Sequence, residues 1–193
     1  MNVSAVILAG GKSSRMGRDK AFLEINGETL LAKQIRIARE SGASEIFISG
    51  RTDTNYSAFG CQVLQDEFPD AGPLAGIHGA MLAAQNPLLL VLAVDLPNLN
   101  SGLLKRLMTQ TRDGLGVIPH FNGKVEPLIA LYPRTALSLC ETFLREQDRA
   151  VRNFATRCVR KGLANFFDLP IADIACLTNW NTPEDTASHP RVK

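Results

Sequence analysis

A single α/β domain with a mostly parallel sheet is what this sequence predicts, and three observations carry the prediction. Short apolar, β-branched runs recur at Val3-Ser4-Ala5-Val6-Ile7-Leu8, Glu45-Ile46-Phe47-Ile48-Ser49, Cys61-Gln62-Val63-Leu64 and Leu88 to Val94, with helix-periodic segments among them. The Leu88 run is apolar without a break and then meets Asp95. A central parallel strand covered on both faces reads this way where it emerges at its carboxyl end. At 193 residues the chain is also long enough to bury one substantial core without staples.

Each element can be justified in order. Val3 to Leu8 is a buried strand that opens into Ala9-Gly10-Gly11. Leu23-Glu24-Ile25-Asn26-Gly27-Glu28 alternates apolar and polar around an Asn-Gly turn and leads into a helix from Thr29 to Ser41. Leu30, Leu31, Ile35 and Ala38 recur at three to four residues, and Gly42 suits a left-handed cap. Such a crossover helix makes the Glu45 to Ser49 strand parallel to the first. Gly72-Pro73-Leu74-Ala75-Gly76-Ile77 opens a small-residue helix to Gln85, and His78 falls on it.

In the second half, Ser101 is predicted to cap a helix through Thr111. Gly116 to Pro119 and Leu128 to Tyr132 read as strands, Thr135 to Arg145 and Ala150 to Lys161 as helices, and Ala164 to Asp168 as a last short strand. Thr182 caps a final turn with Pro183 at its first position, and the tail 188–193 is expected to fray. No linker, repeat or low-complexity stretch divides the chain, so residues 1–193 form one domain. Four predicted strands end at Gly10-Gly11, Ser49 to Arg51, Asp66 and Asp95. Because ligands of open α/β sheets sit outside the carboxyl ends of the strands, these four segments converge on one edge.

The first of them is an anion-receiving loop. Gly10 and Gly11 let backbone approach a ligand closely, and Arg15 and Lys20 supply charge complementary to phosphate. A Walker loop requires Gly-Lys-Ser/Thr at its end, but Gly17 is followed by Arg18 and Asp19. A dinucleotide fingerprint requires Gly-x-Gly-x-x-Gly, which the stretch from Gly10 to Arg15 does not supply. Asp95 at a strand end suits a hard cation such as Mg²⁺, which takes one or two carboxylates plus substrate phosphates; its alternative role is a helix cap, since Asp95-Leu96-Pro97 precedes a turn. Asp66 stands open between assisting the metal, binding a ribose hydroxyl or base, and capping the turn before Pro69.

Composition excludes other classes. Hydrophobic residues at 45% and charged residues at 21% are ordinary for a soluble globular protein. A net charge of +2 does not argue for nucleic acid, and the bases Arg149, Arg152, Arg157, Arg160 and Lys161 lack interleaved aromatics, so they read as a solvated helix face. Cys61, Cys140, Cys158 and Cys176 form no Cys-x-x-Cys pair and read as reduced core residues. No leader-like segment begins the sequence and Pro87 to Val94 is too short to span a bilayer, so a cytoplasmic location without membrane contact is expected. His78, His120 and His189 are scattered and suggest no nucleophile-and-base pair.

The loop positions Leu8, Ala9, Gly10, Gly11, Ser13, Arg15, Met16, Gly17, Asp19 and Lys20 together resemble the N-terminal signature of nucleotidyltransferases, and specifically of the molybdenum cofactor guanylyltransferase family. Gly72-Pro73-Leu74-Ala75-Gly76 resembles that family's second motif and Asp95-Leu96-Pro97 its metal-binding segment. Asn179, Asn181, Thr182, Pro183 and Glu184 resemble its C-terminal motif. The resemblance implies a Rossmann-like three-layer α/β/α fold similar to nucleotide-diphospho-sugar transferases. It also implies transfer of GMP from GTP to molybdopterin cofactor with release of pyrophosphate.

By that similarity Leu8, Ala9 and Gly10 meet the guanine, Lys20 the phosphates, Asp66 the nucleotide, and Asp95 both GTP and Mg²⁺, with Lys20 and Arg15 stabilising developing charge. Ser49 stands where members of the family can carry a nucleotide-contacting asparagine, and Asn179 and Asn181 fall to the acceptor. Residues 1–100 then form the GTP and Mg²⁺ half and residues 101–187 the acceptor half, with molybdoenzyme apo-proteins or their chaperones as recipients of the product. A sister cytidylyltransferase or sugar-phosphate nucleotidyltransferase is the nearest alternative. Gly10 favours guanine over those relatives, which often show Leu-Ala-Ala-Gly. A silent nucleotide-binding module is opposed by Arg15, Lys20 and Asp95 occurring together.

Overall fold

The computed structural model describes residues 2–10, 19–65, 67, 68 and 70–180. The chain opens with β1 (Val3–Leu8), a small hairpin β2 (Glu24–Ile25) and β3 (Glu28–Thr29), then α1 (Leu30–Ser41), β4 (Ala43–Ser49) and β5 (Gln62–Leu64). It continues through α2 (Pro73–Ala83), β6 (Leu88–Ala93), α3 (Ser101–Thr109), β7 (Gly116–Phe121), β8 (Lys124–Val125) and β9 (Ile129–Pro133). Then come α4 (Leu137–Arg145), α5 (Val151–Arg160) and β10 (Ala164–Asp168), followed by a 3-10 helix over Ile171–Leu177. The sheet order is β5-β4-β1-β6-β9-β7-β10, with β8 paired to β7. β4 and β6 flank β1 in parallel, β5 is parallel to β4, and β10 is parallel to β7. β9 alone on that path runs against its neighbours, so β7 and β10 point the same way as β1.

Two cores explain the unbroken apolar strands. Val3, Ala5 and Ile7 of β1 and Leu88, Leu90 and Leu92 of β6 face α1 and α3, while Val6, Leu8, Leu89 and Val91 face α2, α4 and α5. Every residue of β1 and β6 is buried, as sandwiching between two helical layers requires. The three-layer α/β/α architecture anticipated above is therefore present.

Local chemistry fixes the connections. Asn26 and Gly27 hold φ of 54° and 83°, the left-handed pair that turns the β2–β3 hairpin. Thr29 Oγ1 accepts from Ala32 N at 3.2 Å at the start of α1, and Gly42 ends it at φ 107°. At the amino edge, the Glu45 carboxylate accepts from Ser4 Oγ and from Gln85 N, tying β1 and β4 to the turn before β6. Ser4 is fully buried, and its hydroxyl is satisfied by donating to that carboxylate and accepting from Asn86 Nδ2 at 3.0 Å.

Several expected boundaries move. α3 is capped by Asn100, whose Oδ1 accepts from Leu103 N at 3.0 Å, and not by Ser101; the helix ends at Thr109. α2 stops at Ala83, short of Gln85. β8 and its Asn122-Gly123 turn were not expected, although that pair repeats the left-handed signal of Asn26-Gly27. Cys140, Cys158 and Cys176 are buried free thiols, whereas Cys61 precedes β5 and is only partly buried. The predicted Thr182–Pro183 turn, His189 and the tail lie outside the described residues. Among the described residues no helix is long and apolar enough to cross a membrane.

Candidate active site

Beyond the ladders, the carboxyl ends of β1, β4 and β6 are stitched together. Ala9 N and Gly10 N both donate to Ser49 O, at 2.8 and 3.0 Å, and Val94 N donates to Leu8 O at 3.2 Å. Leu8 and Ala9 are buried by this, and Gly10 is left exposed. Among the described residues, the atoms nearest to a Cβ on Gly10 would be backbone of Ser49 and Gly50 at 3.6 to 3.7 Å, ordinary contact distance. The described packing thus leaves room for a methyl group at Gly10, and its absence leaves the backbone exposed at the strand's mouth.

Two motif glycines downstream are fixed by the fold. Gly72 holds φ 65° and ψ −151°, a region only glycine occupies readily, as it leads into α2. Gly76 faces the strand ends so closely that a Cβ would stand 2.3 Å from Ser49 Oγ and 2.9 Å from Leu8 Cδ2. The Ser49 hydroxyl is consequently buried against α2, and its carbonyl is the group that reaches the first loop.

Charge enters at the centre of this edge. Asp19 Oδ1 accepts from Ala21 N at 3.0 Å and starts the short 3-10 turn Lys20–Phe22. Lys20 Nζ lies 3.0 Å from Asp95 Oδ2, both side chains keeping about a fifth of their surface in solvent, 17% and 20%. The loop carrying Asp95 is held through each successive carbonyl. Trp180 N donates to Asp95 O at 3.0 Å, Gln34 Nε2 to Leu96 O at 3.0 Å, and Lys33 Nζ to Pro97 O. Burial pushes the Lys33 ammonium below its usual range.

Among the described residues no cluster of three carboxylate, histidine or cysteine side chains forms a protein-only metal cage. One partly exposed carboxylate at a strand end is the donor set expected of an ion that takes its other ligands from phosphates and water. Asp95 therefore fits Mg²⁺ delivered with a nucleotide.

A MobA-like NTP transferase domain matches residues 5–161. The chain belongs to this family. A protein of Opitutus terrae named "Probable molybdenum cofactor guanylyltransferase" is 38% identical over 186 residues, covering 95% of this chain and 92% of that protein. The "Molybdenum cofactor guanylyltransferase" of Vibrio atlanticus is 32% identical, covering 94% and 92%. The crystal structure of molybdopterin-guanine dinucleotide biosynthesis protein A from Archaeoglobus fulgidus superposes with a TM-score of 0.72 at 22% identity, covering 98% of this chain and 96% of that one. A 2-C-methyl-D-erythritol 4-phosphate cytidylyltransferase from Thermus thermophilus gives 0.73 at 20% identity, over 98% and 97%. These two likenesses establish the shared nucleotidyltransferase fold.

In this MobA-like transferase, the structure brings Leu8, Ala9, Gly10, Ser49, Lys20 and Asp95 to one sheet edge. Asn179 is exposed beside the buried Trp180, whose amide reaches Asp95. Gly11, Arg15, Asp66 and Asn181 lie outside the described residues. The clamp from Lys33 and Gln34 was missed by sequence reasoning, though Gln34 interrupts the apolar stripe Leu30, Leu31, Ile35, Ala38 and is wholly buried. A polar side chain on an apolar helix face is a signal that something across from it needs a partner. Tyr56 was missed as well. Its buried ring lies so near Gly50 that a Cβ there would be 2.4 Å from it, and Phe22 stacks on it with centroids 5.9 Å apart.

Proposed function

We propose that this chain transfers GMP from GTP to molybdopterin cofactor, forming molybdopterin guanine dinucleotide and pyrophosphate. The observation that carries the reading is the Lys20–Asp95 pair at the joined ends of β1 and β6, beside the exposed backbone of Gly10. The guanylyltransferase names borne by relatives that align along almost the whole chain support it.

The reaction is an in-line displacement. An oxygen of the acceptor's terminal phosphate forms a bond to the α-phosphorus of GTP as the bond to the β-phosphate oxygen breaks, and pyrophosphate leaves with that electron pair. The attacking phosphate is already anionic near neutral pH, so no side-chain base is required, and positioning with charge neutralisation carries the acceleration. Lys20 turns its ammonium to the phosphates, and Arg15 joins it in stabilising charge on the transferring and leaving groups. Asp95 would hold Mg²⁺, which supplies neutralisation of phosphate charge at this edge. The three carbonyl contacts on Asp95 to Pro97 keep its carboxylate preorganised.

Leu8, Ala9 and Gly10, with Gly11 and Asp66, serve the nucleotide, and Ser49 serves it through its backbone. Asn179 and Asn181 serve the acceptor, within residues 101–187. Molybdoenzyme apo-proteins or their chaperones receive the product in the cytoplasm, without nucleic acid or membrane. Calorimetric titration with GTP, CTP, ATP and UTP in the presence of Mg²⁺ tests the base assignment. GTP is expected to bind at least tenfold more tightly than the others; a preference for CTP would move the chain to a cytidylyl-transferring branch.

A further inference from the structure

The edge that carries Lys20 and Asp95 continues beyond β9. β7 and β10, parallel to each other and to β1, deliver two more strand ends there, His120 and Asp168, which are register partners. His120 Nδ1 lies 2.8 Å from Asp168 Oδ1, and Leu169 N donates to His120 O at 2.9 Å. The Phe166 ring stands beside the imidazole, with centroids 5.5 Å apart, and is 43% exposed. The side chains of His120 and Asp168 are 30% and 92% exposed. A hydrogen-bonded pair so open to water contributes little to stability, and a half-exposed phenylalanine on an edge strand contributes little to the core, so folding does not account for this group.

Its chemistry is specific. An ionised carboxylate only accepts, so in the neutral tautomer of the imidazole the contact with Asp168 puts the proton on Nδ1 and leaves Nε2 to accept. Beside that acceptor stands the tilted ring of Phe166. From β6 to β7 is two strand spacings, about 9 to 10 Å. An acceptor whose terminal phosphate reaches Lys20 and Asp95 can therefore extend its fused ring system along the edge to this group.

We propose that His120, oriented by Asp168, and the neighbouring Phe166 form the seat for the acceptor's pterin ring, Nε2 accepting a hydrogen bond from the ring's N–H or amino donors. This inference rests on the guanylyltransferase reading for the identity of the acceptor. His120 and Phe166 recognise the ring and take no part in bond making, while Asp168 acts through His120 as a positioning residue.

Pterins fluoresce, so binding of 6-hydroxymethylpterin, which carries no phosphate, can be titrated independently of transfer. His120→Ala and Phe166→Ala are each expected to weaken pterin binding at least tenfold while GTP affinity stays within twofold. His120→Gln, whose amide oxygen can still accept, recovers most of the loss, and Asp168→Asn falls between parent and His120→Ala. In the transfer assay the same substitutions raise the acceptor KM with little change in kcat. Absence of pterin binding by the parent chain, or equal affinity in parent and His120→Ala, overturns the proposal. A parent chain that transfers no GMP yet binds pterin through His120 overturns the guanylyltransferase reading and leaves the seat intact.

Discussion

Lys20 and Gly10 carry the sharpest predictions at the scale of single residues. Lys20 Nζ is 3.0 Å from Asp95 and sits where phosphate charge would gather, so Lys20→Ala removes a preorganised cation. The expected loss is about 3 kcal/mol of transition-state stabilisation, a hundredfold or more in kcat/KM measured by pyrophosphate release, with the melting temperature little changed. Gly10 differs in kind. Its neighbours leave room for a methyl group at 3.6 Å, so Gly10→Ala should fold as the parent does. Nucleotide titration should show it losing affinity for GTP, because the added carbon occupies space at the mouth of β1 and none inside the core. Unfolding at the parent temperature together with a tenfold drop in GTP affinity for Gly10→Ala would mark the site without disturbing the scaffold.

At the scale of elements, the contact of α2 with the ends of β1 and β4 fixes the site's floor. Gly76→Ala would place a carbon 2.3 Å from Ser49 Oγ and 2.8 Å from its Cβ, and helix or strand must yield. The expected cost is about 1 to 3 kcal/mol in chemical denaturation, accompanied by weaker GTP binding because the Ser49 carbonyl that holds Ala9 and Gly10 shifts with its strand. Adding Ser49→Ala removes the nearest atom and should recover part of that stability, a coupling a double-mutant cycle reads directly. At the opposite edge, hydrogen bonds from the Ser4 hydroxyl first and then Gln85 hold the Glu45 carboxyl below its usual 4.5. The unfolded chain therefore binds the proton more readily than the folded one. The stabilisation is complete above pH 4.5 and is lost as pH falls through the depressed folded value. Glu45→Gln should be less stable than the parent at pH 7 and show a flatter decline in acid, followed by denaturant midpoints across pH 3 to 7.

At the scale of the whole molecule, legibility in the sequence followed locality. β1, α1, β4, β5, α2 and β6 were readable because apolar runs, caps and crossovers act within a few dozen residues, and a right-handed crossover leaves little freedom in where the next strand lies. The cap of α3 was missed by one position because Asn100 and Ser101 are both good caps, and only the extended backbone at Asn100, φ −137°, decides between them. The antiparallel insertion of β9 between β6 and β7 follows from sheet closure, which no local pattern records. For the same reason Lys20 and Asp95, 75 residues apart, could be named separately as site residues while their 3.0 Å pairing could not. His120 and Asp168 were scattered polar residues until β10 was seen beside β7.

The central claim is transfer of the guanylyl group, and the most direct measurement follows label from α-³²P-GTP into a molybdopterin acceptor in the presence of Mg²⁺, with CTP as competitor and Asp95→Ala as control. The account predicts labelled dinucleotide formed in step with pyrophosphate, little competition from CTP, and loss of product on replacing Asp95. Label that stays in GTP under these conditions, or product that survives Asp95→Ala within a few-fold, would contradict it.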